Sequence, residues 1–236
     1  MPSRISVIIP AFNEEDSIGL VLDALPQNLI HEVIVVDNNS TDNTARSASE
    51  KGARVVAEQR RGYGSACLKG ISVLDNPDIV VFLDGDFSDH PEEIVKLVEP
   101  IESGEMDFVL GSRMILPESR SALLPQSRYG NQLAVFLMRL FFRHQYTDLG
   151  PFRAIRYESL QAIAMQDTNF GWTVEMQLKA HVAGLRLHEV PVRCRARIGE
   201  SKISGTLWGT LRAGTKILGW VLGWRVKLWL RRGPRG

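Results

Sequence analysis

The chain has 236 residues, 44% of them hydrophobic and 23% charged, which excludes a wholly disordered polymer and is ample for one large core. The net charge of +1 hides an asymmetry: residues 1–200 carry 20 Lys/Arg against 27 Asp/Glu, whereas residues 201–236 carry eight Lys/Arg, no acid and four of the five tryptophans. An acidic body with a basic tail directs the tail toward something anionic. Residues 1–5 lack a signal-peptide layout, and the longest uncharged stretch of the tail, 217–224, is far short of a bilayer span. Cys67 and Cys194 stand far apart without metal-ligand spacing, so they read as free thiols in a reducing compartment.

In chain order, residues 5–10 read as a buried strand, 14–24 as a helix opened by Asn13, and 31–37 as a strand. A helix over 41–51, a short strand over 54–57 and a helix over 64–74 follow. Residues 78–84 carry five consecutive apolar side chains and form a strong buried strand. Residues 91–101 are a helix with Pro91 in its first turn and Asp89 as its cap. A strand is expected over 107–111, a loop over 114–127, a helix over 128–143 and a strand over 149–156. A helix over 173–183, a strand over 185–195 and a loop over 197–205 complete the body. Short apolar runs alternating with amphipathic segments predict an α/β fold: a mostly parallel sheet covered by helices on both faces. No repeat or linker divides residues 1–205, and 206–236 form a separate tail.

Three of these strands end in acid-rich turns that hold Glu14, Asp37, and Asp84-Gly85-Asp86. Ligands of open α/β sheets bind beyond the carboxyl ends of the strands, so these side chains are aimed at one place. Two carboxylates in a tight turn repel each other unless a hard cation joins them. Mg2+ typically takes one or two carboxylates together with substrate phosphates. Gly62-Tyr63-Gly64 lacks the third glycine of a dinucleotide loop, because Cys67 stands there; no P-loop, zinc-protease helix or nucleophile elbow is present. The five histidines show no ligand spacing.

Asn13-Glu14, Asp37-Asn38-Asn39-Ser40-Thr41-Asp42, Leu83-Asp84-Gly85-Asp86 and Gly111-Ser112-Arg113 resemble the family 2 glycosyltransferases of the GT-A fold. Ser127-Arg128-Tyr129-Gly130-Asn131, Thr147-Asp148-Leu149-Gly150-Pro151-Phe152-Arg153, Glu189-Val190-Pro191 and Arg197-Ile198-Gly199-Glu200-Ser201-Lys202 are similar to the polyprenyl-phosphate sugar transferases, the group of the dolichyl-phosphate mannose and glucose synthases. The resemblance covers about 4–205. It implies inverting transfer of a hexose from a nucleotide diphospho-sugar, UDP-glucose or GDP-mannose, to a polyprenyl phosphate. It also implies that Pro10, Phe12, Glu14, Val35 and Asp37 contact the nucleotide. Asp84, Gly85 and Asp86 would hold the diphosphate, with Asp84 and Asp86 ligating Mg2+ or Mn2+. Arg113 would reach the acceptor phosphate or the transferring sugar, Ser127 and Arg128 would add to the acceptor side, and Arg197, Ser201 and Lys202 would close over the phosphates. Phe12 stands where the mannose synthases have Tyr, and Ser88 where many members have a Gln ligand. The rival expectations are a non-processive family 2 enzyme with a hydroxyl acceptor and an inactive nucleotide-sugar-binding protein.

The acceptor chemistry fits the residue types. A phosphate monoester, with its second pKa at ~6, is already a nucleophile near neutral pH and needs positive charge rather than a base. In the tail, Leu207, Leu211, Leu218, Leu222 and Trp229 share one helical face and Arg212, Lys216, Lys227 and Arg231 the other, with Trp220 and Trp224 near the basic side. Residues 206–232 therefore read as an amphipathic helix on the cytoplasmic membrane surface, binding lipid rather than nucleic acid. The alternative is a helix packed on the domain, on a partner membrane protein or on a second copy of the chain.

Overall fold

The computed structural model describes residues 3–142, 146–199, 219, 220 and 223. Among these, seven strands form one sheet: β1 (Ile5–Ala11), β2 (Glu32–Asp37), β3 (Arg54–Ala57), β4 (Ile79–Phe82), β5 (Phe108–Ser112), β6 (Arg153–Arg156) and β7 (Leu187–Pro191). Their order is β3-β2-β1-β4-β6-β5-β7. Only β6 runs antiparallel, against both β4 and β5. The helices are α1 (Ile18–Ala24), α2 (Thr44–Glu50), α3 (Tyr63–Ser72), α4 (Ile94–Glu102), α5 (Pro117–Ala122), α6 (Pro125–Phe142), α7 (Tyr157–Ile163) and α8 (Trp172–Val182). The expected α/β architecture, mostly parallel and covered on both faces, is what is observed.

Alternation along the strands explains both layers. Ile5, Val7, Ile9 and Ala11 of β1 point to one face and pack with Ile18, Val21, Leu97 and Ile101 of α1 and α4. Ile8 points to the other face and joins Ile34, Val36, Val80 and Phe82 under Trp172, Met176 and Leu160. Each such side chain contributes roughly 1.5–3 kcal/mol by leaving water. Gly70 lets α3 settle on this face, because a Cβ there would come within 2.6 Å of Ile8.

Several boundaries differ from the sequence expectation for identifiable reasons. The first helix starts only at Ile18, because residues 14–17 form a turn in which the Ser17 and Ile18 amides bond the Glu14 carbonyl. Residues 117–122, expected as loop, are helical, since Pro117 occupies the first turn, where its missing N–H costs nothing. The strand expected over 149–156 shortens to β6, and α7 was not anticipated. Asp89 does not cap the helix after Pro91: that segment opens as a 3-10 turn (Pro91–Glu93) without a side-chain cap. The expected helix over 206–232 lies outside the described residues, except that Gly219, Trp220 and Gly223 are helical. Trp220 is turned to the protein rather than to headgroups: its indole N–H donates to Asp167 Oδ2 at 2.6 Å.

Candidate active site

The parallel register sets the carboxyl ends of β1, β2 and β4 side by side, with Ala11 opposite Asp37 and Ile8 opposite Phe82. Their loops are tied together. Asn13 adopts φ +53°, which Asn tolerates, and its Oδ1 accepts the Thr41 amide at 2.8 Å. The Glu14 amide donates to Thr44 Oγ1 at 2.8 Å, and the Asn43 amide donates to Glu15 at 2.9 Å. Ser17 donates to the Gly85 carbonyl at 2.8 Å. Glu14, Asp37 and the Asp84–Asp86 turn thus belong to one rigid edge, as the sequence predicts.

Within that turn Asp86 Oδ1 accepts the Ser88 amide at 2.9 Å, and Phe87 is held at φ +60°. The Arg195 guanidinium stacks 3.8 Å from the Phe87 ring and donates to the Asp89 carbonyl. The chain after β7 is zipped along the turn: Cys194 bridges Asp89, the Arg195 amide bonds the Ser88 carbonyl, and the Ile198 amide bonds the Asp86 carbonyl. This brings Arg197 between two carboxylates, 2.8 Å from Glu14 Oε1 and 3.1 Å from Asp86 Oδ2.

Asp84 Oδ1 is sealed from solvent with no hydrogen-bond partner. Burial, reinforced by Asp86 and Asp89, holds its carboxyl well above the usual range. Beneath it lie the buried phenol of Tyr63 and the guanidinium of Arg153. Arg153 has no carboxylate partner and is satisfied by the Thr173, Leu149 and Gly150 carbonyls. An orphaned buried oxygen on Asp84 beside Asp86 suits a divalent cation, which would offset their repulsion. Among the described residues no three His, Cys, Asp or Glu side chains form a closed metal set. That fits a cation completed by substrate phosphates rather than by a protein cage.

The other residues expected at the site divide. Pro10, Phe12 and Asp37 are half-buried at the rim, and the Arg61 guanidinium stacks 3.5 Å from the Phe12 ring. Gly85 is buried with space around it for a Cβ. Val35 is a correction: its side chain is fully buried in the core and offers a ligand no atom. Arg113 is not a free cation. Its Nε and Nη2 donate to both oxygens of Asp148 at 2.8 and 3.0 Å, and its amide donates to Asp148 as well. Burial disfavours the charge of both partners, yet their mutual attraction holds Arg113 above and Asp148 below their ordinary pKa values. Ser127 and Arg128 open α6, and Arg128 Nε is sealed and unpartnered. Ser201 and Lys202 lie outside the described residues.

Asp89, Asp148, Arg153 and Arg195 were not singled out as site residues from the sequence. Asp89 is 1% exposed with neither carboxylate oxygen hydrogen-bonded. Burial pushes it up to about 7 against the pull of Arg113, with Asp86 adding. The unfolded chain ionises this group near 4. Between those values the folded state keeps a proton that the unfolded state has lost, so stability falls as pH rises from ~4 to ~7. Asp89→Asn is therefore expected to be neutral at pH 4 and stabilising by on the order of 2–4 kcal/mol at pH 8. Denaturant unfolding at both pH values checks this, and a gain independent of pH would contradict it.

The glycosyl transferase family 2 model matches residues 6–164. The chain belongs to glycosyl transferase family 2. It is 36% identical over 210 residues to an uncharacterized glycosyltransferase of Mycobacterium tuberculosis, covering 89% of this chain and 94% of that one. It is 32% identical over 224 residues to the undecaprenyl-phosphate mannosyltransferase of Micrococcus luteus, covering 87% and 90%. Among solved structures, glucosyl-3-phosphoglycerate synthase of M. tuberculosis, in complex with Mn2+, uridine diphosphate and glucosyl-3-phosphoglycerate, superposes with TM-score 0.73 at 26% identity. The match covers 94% of this chain and 80% of that one. The fold is therefore GT-A, and the protein is a glycosyltransferase.

Proposed function

We propose that this family 2 glycosyltransferase moves a hexose from a nucleotide diphospho-sugar to the phosphate of a polyprenyl phosphate at a membrane surface. The likeness to the undecaprenyl-phosphate mannosyltransferase supports the lipid acceptor. The observation that carries it is the state of the carboxylates on the acceptor side. Asp148 is consumed by Arg113, and Glu189 accepts the Thr147 and Asp148 amides. Asp89 titrates in the range of a general base, but both its oxygens are sealed from any substrate. The same side presents Arg128, while Arg113 is held by Asp148. An acceptor that arrives already ionised needs positive charge rather than a base.

Glu14 and Asp37 would orient the nucleotide, with Phe12 under its base. Asp84 and Asp86 would hold Mg2+ or Mn2+, which when bound supplies positive charge to the leaving diphosphate. Arg128 would meet the acceptor phosphate, where a planar fork suits bidentate contact. The test is to incubate enzyme and membranes with labelled UDP-glucose or GDP-mannose, extract with organic solvent and identify the labelled product. A labelled polyprenyl phosphate supports the assignment; label only in a water-soluble phosphorylated product, as a phosphoglycerate acceptor would give, overturns it. Arg128→Ala is expected to raise the KM for the lipid about tenfold or more while donor affinity stays within twofold. Loss of donor affinity instead would reverse the division of roles.

A further inference from the structure

Helix α6 has the wrong outer face for a helix in water. Ala134, Met138 and Phe142 point inward and pack with Leu110, Val174 and Leu178. On the opposite side Tyr129, Leu133, Phe136 and Leu140 are 63%, 54%, 60% and 59% exposed. Their spacing of four, three and four residues confines them to an arc of about 60°, half a turn from the inward set. A surface helix ordinarily places polar residues there. Ahead of the helix Ile115 and Leu124 are exposed too, so six of the ten exposed large hydrophobics among the described residues lie between positions 115 and 140. Singly exposed leucines are ordinary, but a continuous stripe marks an interaction surface.

The charge around the stripe identifies what it meets. Residues 113–142 carry four arginines, Arg113, Arg120, Arg128 and Arg139, and one acid, Glu118, within an otherwise acidic body. Arg128 and Arg139, with Gln132 between them, line one flank of the stripe at helical spacing. An apolar stripe bordered by arginines, with no acid in the helix itself, is complementary to a lipid surface: the stripe enters the acyl boundary and the arginines meet anionic headgroups. The inward face is closed by the protein itself, Trp220 packing against the cluster that contains Met138 and Phe142, so the outward stripe is the apolar side of α6 left without a partner among the described residues.

We propose that α6 docks the enzyme on an anionic bilayer through Tyr129, Leu133, Phe136 and Leu140. This surface is distinct from the tail, and it sets the first turn of α6, with Arg128, at the level of the headgroups. It goes beyond the choice of acceptor, since docking is a property of the stripe whichever phosphorylated molecule takes the sugar.

The experiment is co-sedimentation of the full-length protein with vesicles of phosphatidylcholine alone or mixed with phosphatidylglycerol, at low and high salt. Leu133→Gln with Phe136→Gln is expected to weaken partitioning into the mixed vesicles about tenfold or more. Arg139→Gln is expected to weaken it about threefold to fivefold at low salt and little at high salt. Leu20→Gln with Val95→Gln, exposed apolar positions elsewhere, should change it less than twofold. Donor-nucleotide affinity of all three variants should stay within twofold, which separates docking from damage to the site. Undiminished partitioning of the Leu133/Phe136 variant overturns the proposal and leaves membrane binding to the tail. So does a lipid-free dimer that this variant converts to monomer, because the stripe would then be a contact between two copies of the chain.

Discussion

Asp86→Ala is expected to lower turnover by about 10²–10³, the scale for removing one electrostatic contact to developing charge. Asp84→Ala should fall in the same direction by less. Asp86, 7% exposed, turns Oδ2 to the Arg197 guanidinium, whereas Asp84 is half-buried and keeps one sealed, orphaned oxygen. A cation held by both would take Asp86 Oδ2 from the Arg197 guanidinium, and Asp84 would add the second carboxylate. The direct readout is Mn2+ binding by proton relaxation in the absence of donor, where both variants should bind at least tenfold more weakly. Steady-state rates with saturating donor give the second readout. Removing Asp84 also relieves an acid with a sealed oxygen and a raised pKa, so Asp84→Ala should unfold at the same temperature as the parent or above it. A rate loss in Asp84→Ala accompanied by a lowered melting temperature would make the effect structural. Unchanged rate and Mn2+ affinity in Asp86→Ala would remove the metal assignment altogether.

The acid-rich edge was legible in the sequence because it is built from local signals. An apolar run ending in Asp-Gly-Asp declares a strand, a turn and a pair of carboxylates within eight residues. Asn13 and Asn39, both at positive φ, mark the turns that aim Glu14 and Asp37. The surroundings of Arg113 were less legible because their chemistry is made by distant partners. Arg113 and Asp148 are 35 residues apart, and nothing near either one announces that they neutralise each other. An unpaired arginine and a paired one look the same in a sequence. Asp89 has the composition of a helix cap, and only the bridge to Cys194 and the proximity of Arg113 show why it is sealed instead. The antiparallel β6 escapes a periodicity argument for a related reason. Three of its four residues are buried like their parallel neighbours, so direction leaves no mark on the pattern. The outward stripe of α6 was hidden by its own regularity: apolar residues on both sides of a helix read as deep burial until the fold shows which side is covered.

Arg197→Ala is expected to have effects of opposite sign on two steps. In the structure this guanidinium spans Glu14 and Asp86, a quarter exposed, with its Nε sealed and unpartnered. It occupies the oxygens that a donor nucleotide and a cation would use. Two cations compete for one carboxylate, so a divalent ion on Asp86 and the guanidinium on the same oxygen oppose each other. Loss of Arg197 should therefore tighten Mn2+ binding without donor, by roughly threefold to tenfold for a partly exposed pair worth about 1 kcal/mol. The same substitution should slow turnover by about 10², because the displaced guanidinium has the diphosphate as its nearest anion and would stabilise its departing charge. Arg197→Lys keeps the charge but not the fork, and should recover the metal affinity of the parent while restoring only part of the rate. The loop geometry supports such a swing. Ile198 is fastened to the Asp86 carbonyl, so the backbone stays on the acidic turn while the side chain exchanges partners, and Gly199 beyond it adopts φ +78°, a conformation that glycine takes without strain. Mn2+ affinity that falls in Arg197→Ala would mean that the arginine props the two carboxylates in place instead of competing for them. A rate that holds would mean that it never turns to the phosphates.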